Sequence, residues 1–140
     1  MHRKLASLLA ALATAAALAG CKKDAQVESA LAEFHAFTEE IVKRVEGGAN
    51  PSAGVDDAQK YFDSRKAEIL AKLESLKGVR GFQVSEQTKK KMTEQLADGY
   101  MSVTKLQLRY MMDSVRDPAL KAKLDKLVQD YQGLIRSTES

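Results

Sequence analysis

Ala25-Gln26-Val27-Glu28-Ser29-Ala30-Leu31-Ala32-Glu33-Phe34-His35-Ala36-Phe37-Thr38-Glu39-Glu40-Ile41-Val42-Lys43-Arg44-Val45-Glu46 places Val27, Leu31, Phe34, Thr38, Ile41 and Val45 at spacings of four, three, four, three and four. An α-helix turns once in 3.6 residues, so these six side chains share one face, which the two-residue alternation of a strand cannot produce. The stretch predicts an amphipathic helix over about Ala25 to Glu46. Asp24 is positioned to cap its first turn, Lys43 and Arg44 suit its negative end, and Gly47-Gly48 stop it.

The remaining chain repeats the pattern three times. Asn50-Pro51 through Gly54 reads as loop, and Asp56-Asp57-Ala58-Gln59 offers a capping pair for a second helix that carries Phe62, Ile69, Leu73 and Leu76 and ends at Gly78. Val79 to Val84 reads as a turn with Gly81, after which Ser85 caps a third helix over about Glu86 to Arg116, roughly 46 Å long. Its stripe is Met92, Leu96, Gly99, Val103, Leu106 and Tyr110. Asp117-Pro118 supplies a cap and an N1 proline for a fourth helix with Leu120, Leu124, Leu127, Tyr131 and Leu134, the alternative being one long helix kinked at Pro118. No segment reads as a strand and no repeat of fixed period is present. The expectation is an all-α protein, an antiparallel bundle of about four helices over residues 27–140 whose interior is the pooled stripes.

The third helix carries more apolar surface than one bundle face requires. Val103, Leu106 and Tyr110 point one way, whereas Met101, Leu108, Met112 and Val115 point nearly the opposite way. Two readings follow. Either this helix is central and the others, or the first loop, cover the surplus, or Met101, Leu108, Met112 and Val115 form a partner-binding stripe for a second copy or a client helix.

At the other end, Met1-His2-Arg3-Lys4 is basic, Leu5 to Ala19 is apolar, and Leu18-Ala19-Gly20-Cys21 holds the only cysteine of the 140 residues. That order describes a secretory signal, and about 15 apolar residues fall short of the roughly 20 a membrane span needs. The tetrapeptide resembles the lipobox of bacterial lipoproteins. The resemblance implies cleavage after residue 20, a diacylglyceryl group on the Cys21 sulfur, and a short tether over residues 21–26. An ordinary cleaved signal or an uncleaved anchor is the alternative. Lys22 after the cysteine implies, by the enteric sorting pattern, a bacterial envelope protein anchored at the outer membrane and facing the periplasm.

Without Arg3 and Lys4 the chain holds 20 Lys and Arg against 19 acids, so its basic balance is mostly a property of the leader. Such a balance argues against nucleic acid as a partner. With Cys21 committed to the lipid, no disulfide or thiolate ligand is expected in the mature domain.

Chemistry is sparse. His35 is the only histidine after the leader; Glu39 lies one turn on, but Ala32 stands where a bundle di-metal site needs its glutamate. There is no Cys-x-x-Cys-His, no phosphate loop and no His-Glu-x-x-His. Glu39-Glu40 and Asp56-Asp57 are neighbours that face apart on a helix. Lys89-Lys90-Lys91, flanked by Glu86 and Glu94, reads as a solvated face. The expectation is no catalytic residue, no metal and no cofactor. Val103-Thr104-Lys105-Leu106-Gln107 is similar to the Leu-Thr-x-x-Gln motif of small helical periplasmic chaperones and metal-stress sensors, and pilotin lipoproteins are similar in kind, being small, helical and lipidated with a groove for a partner helix. The function expected is a membrane-anchored, non-enzymatic protein-interaction or structural module. The alternative is a binder of a small apolar ligand inside the bundle, or a stress sensor.

Overall fold

The structure, a computed structural model, describes residues 22–79 and 83–139; the leader and Cys21 lie outside the described residues. The described residues form five helices: α1 (Lys22–Gly47), α2 (Pro51–Lys77), α3 (Glu86–Arg109), α4 (Met111–Arg116) and α5 (Pro118–Glu139). The all-α bundle is as the stripes predict.

Local starts and stops differ from the sequence reading in four places. Residues expected as the tether are helical from Lys22 onward, so Asp24 lies inside α1. Instead of capping α1, its carboxylate accepts the Ser85 backbone N–H at 2.8 Å and ties the start of α1 to the start of α3. The expected loop at residues 50–54 is the first turn of α2: Asn50 is extended and its side chain accepts the Ala53 N–H at 2.8 Å, while Pro51 occupies the first helical position, where no N–H is needed. Gly54, read as a loop residue, is buried, because a Cβ there would overlap the Val45 carbonyl where α1 and α2 cross. Asp56 and Asp57 therefore sit inside α2 and pair with Lys123 at 2.6 Å and Arg44 at 3.1 Å.

The expected third helix is broken at Tyr110 (φ −100°, ψ 18°), so α3 ends at Arg109 and the short α4 follows. Tyr110 is the last stripe residue packed on the core, and beyond it the chain must turn across the end of the bundle to begin α5. Asp117 is extended and its carboxylate accepts the N–H groups of Ala119 and Leu120 at 3.0 and 3.1 Å, so Pro118 opens a separate helix.

All six stripe residues of α1 are buried, as are Phe62, Ile69 and Leu73 of α2, Gly99, Val103 and Leu106 of α3, and the five stripe residues of α5. At the centre Phe37 stacks nearly parallel to Tyr131 at 6.4 Å and tilts against Phe62 at 5.7 Å. The Thr38 hydroxyl donates to the Phe34 carbonyl at 2.9 Å and accepts from the Tyr131 hydroxyl at 2.6 Å, so both buried hydroxyls are satisfied.

Cross-helix pairs give the order of the helices around the bundle. Asp24 meets Ser85, Glu28 meets Lys91 and Glu46 meets Arg109, so α1 and α3 run parallel side by side. Gln59 with Asp130 and Asp56 with Lys123 make α2 and α5 a second parallel pair. Glu33 with Lys72 and Arg44 with Asp57 make α1 and α2 antiparallel, and Gln107 with Asp125 and Tyr100 with Gln132 do so for α3 and α5. Two antiparallel hairpins, α1–α2 and α3–α5, thus lie flank to flank. α2 and α3 stand diagonally across the bundle from each other.

Candidate functional site

Neither the other helices nor the first loop closes over the surplus of α3. Met101 is 51 % exposed, Leu108 70 %, Met112 62 % and Val115 75 %, and Met111 joins them. The break at Tyr110 divides the expected stripe: Met101 and Leu108 stay on α3, two turns or about 10 Å apart, and Met112 and Val115 move onto α4. None of the α4 side chains is buried, and a shallow cleft of about 160 Å³ between Met111, Val115 and Leu124 separates α4 from α5. The result is an apolar corner. The Arg109–Glu46 ion pair holds it at the C-terminal end of α1.

A second feature lies at the opposite end of the molecule and was not foreseen. Level with Asp130 on α5 is Gln59 on α2, and level with Gln132 is Tyr100 on α3. A groove of about 610 Å³ lies between α2, α3 and the last turns of α5, lined among the described residues by Leu73, Leu76, Met92, Leu96 and Ile135, with Lys77 and Arg136 beside them. The sequence shows these residues as apolar, but only the packing of α2, α3 and α5 brings them together.

The remaining candidates are dispersed. His35 Nε2 stands 3.3 Å from a Glu39 carboxylate oxygen, both side chains more than half exposed. Among the described residues no three His, Cys, Asp or Glu side chains gather as metal ligands. Lys89, Lys90 and Lys91 each pair with an acid, Glu86, Glu94 and Glu28 respectively. In the Val103-to-Gln107 segment Val103 and Leu106 are core and Gln107 donates to Asp125 at 2.8 Å, while the buried Thr104 hydroxyl has no partner among the described residues. Perturbed groups follow local contacts. The Ser85 backbone N–H lowers the Asp24 carboxyl, the Lys121 ammonium lowers Asp125, and the Asp130 carboxylate raises Lys126. Burial raises the Tyr131 phenol well above its ordinary range. Asp125 lines the cleft between α4 and α5, whereas the other three lie neither there nor in the groove between α2 and α3. Among the described residues no helix is long and apolar enough to cross a membrane.

No family model, no curated protein and no solved structure matches this chain.

Proposed function

We propose that the protein is a lipid-anchored module of a bacterial envelope that docks another envelope protein through the apolar corner of α3 and α4. The observation that carries the reading is the exposure of Met101 and Leu108 on α3 and of Met112 and Val115 on α4, in a bundle whose other stripes are buried. A monomer in water rarely exposes several large apolar side chains on two consecutive helices without using them. Methionine can adapt its shape to an irregular partner face, and two of the four residues are methionine.

Geometry supports a protein partner over the anchoring bilayer. The lipidated cysteine of this reading precedes Lys22, at the start of α1, whereas the corner sits beside the end of α1. The 26 residues of α1 span about 39 Å, so the corner points away from the membrane that holds the anchor.

The test has two parts. Mass spectrometry of the protein from its own host is expected to find residues 1–20 absent and a diacylglyceryl mass on Cys21; an attached leader or a bare thiol overturns the anchor. A photocrosslinking residue at Met112 is expected to capture a discrete envelope partner, one at the exposed Lys60 of α2 is not, and Leu108→Glu with Met112→Glu abolishes capture. Because both side chains are mostly exposed, the double variant keeps its melting temperature within about 2 °C, a surface-level change. Equal capture by the folded variant overturns the docking surface.

A further inference from the structure

We infer that Met101, Met111 and Met112 are a reversible oxidation site, at which a peroxide makes the apolar corner polar and releases a docked partner. The release rests on the function proposed above, whereas the oxidation site does not. The sequence holds no tryptophan, and its only cysteine is Cys21. From Lys22 onward the only sulfur atoms are four methionine thioethers, the groups on which a two-electron oxidant acts most readily. Three of the four are open to solvent: Met101 is 51 % exposed, Met111 52 % and Met112 62 %. The fourth, Met92, is partly buried in the wall of the groove between α2, α3 and α5. Among the described residues no methionine belongs to the buried core. Oxidisable sulfur is thus kept out of the interior and concentrated on α3 and α4.

The oxidant is hydrogen peroxide, and the step is an oxygen-atom transfer. The thioether lone pair attacks one peroxide oxygen, the S–O bond forms and the O–O bond breaks. The departing hydroxide takes the proton of the transferred oxygen and leaves as water, so the sulfur loses the two electrons that the peroxide gains. A sulfoxide reductase reverses the step with two electrons from a dithiol, which becomes a disulfide while the oxygen leaves as water. Location decides what the added oxygen does. A sulfoxide in a core is a polar group without a partner and unfolds the protein, but Met101 and every α4 side chain lie outside the core, where water solvates it. The bundle therefore keeps its fold while three apolar side chains acquire strong acceptors that an apolar partner face leaves unpaired. Of the exposed stripe only Leu108 and Val115 stay apolar.

For the test, peroxide is titrated into the full chain and fragment mass spectra locate the added oxygen. Met101, Met111 and Met112 are expected to take it up several-fold faster than Met92, with helical circular dichroism and melting temperature unchanged. Retention on a phenyl hydrophobic-interaction column shortens on oxidation and recovers with dithiothreitol and two sulfoxide reductases, one for each epimer. The variant carrying Met101→Leu, Met111→Leu and Met112→Leu conserves volume and does not respond; both proteins share residues 1–21, so the difference reports the corner. With the photocrosslinking residue moved to Val115, partner capture falls roughly tenfold or more on oxidation of the parent and is unchanged in the leucine variant. Oxidation of Met92 at the same rate as the other three, loss of helix, or equal retention before and after overturns the oxidation site. Capture that persists after mapped oxidation, yet is lost in Leu108→Glu with Met112→Glu, overturns the release and leaves the docking surface standing. No capture by the unoxidised protein overturns docking and release together, while mapping and retention still decide the oxidation site.

Discussion

At Gly99 the two hairpins meet with no room for a side chain. A Cβ there would fall 2.6 Å from the Tyr131 hydroxyl and 2.9 Å from the Phe34 ring, two side chains at the packed centre that cannot swing aside. Gly99→Ala is expected to lower stability by about 1–3 kcal/mol through overpacking. Gly133 is the opposite case: it lies on the exposed side of α5 with nothing within 4 Å, so Gly133→Ala raises stability by about 0.5–1 kcal/mol by removing backbone freedom from the unfolded chain. Urea midpoints that move in opposite directions with unchanged slopes check both. Tyr131 carries a pH dependence. Burial holds its proton in the folded state above the ordinary phenol value of 10.0, so folded and unfolded chains bind this proton equally at lower pH. As pH rises past about 10 the unfolded chain releases it first and stability falls. Tyr131→Phe, which leaves Thr38 bonded to the Phe34 carbonyl, is expected to lose about 1 kcal/mol near neutrality and to flatten the alkaline fall. Parallel alkaline slopes in the two proteins would contradict that account. In the sequence Gly99 is visible only as a gap in a stripe, and its contact with residue 131 lies beyond the reach of local pattern.

Helices were legible wherever an apolar face repeated at helical spacing. Val27 to Val45 and Leu120 to Leu134 are buried position for position, because burial on one side is what imposes the spacing. Ends were less legible, since several residue types compete to start a helix. Asp56-Asp57 satisfies the capping preference as well as Asn50 does, but Asn50 has Pro51 behind it and Gly54 permits the close crossing with Val45. Asn50→Ala is expected to lower stability by about 1 kcal/mol, whereas Asn50→Asp stays near the parent; thermal melts at one pH distinguish them. The break at Tyr110 had no local marker, neither glycine nor proline, and comes from the need to turn toward α5. For the same reason the four residues of the surplus stripe were readable as apolar and opposed to the core, yet their division between α3 and α4 was not.

Across the whole molecule, the order of the helices around the core was not legible, because four apolar stripes of similar composition fit one another in more than one arrangement. The three residues between α1 and α2 force those helices to be neighbours, but the longer link from Gly78 to Ser85 reaches either a flank or the diagonal. Cross-helix pairs such as Glu28 with Lys91 read in the sequence only as surface charge, and each contributes little to stability. The flank-to-flank hairpins have a kinetic corollary. Each half closes through contacts near in sequence, and their union needs a single diffusive search, so the polypeptide assembles as a fast, low-contact-order folder in which intramolecular docking of two preformed pieces is the late event.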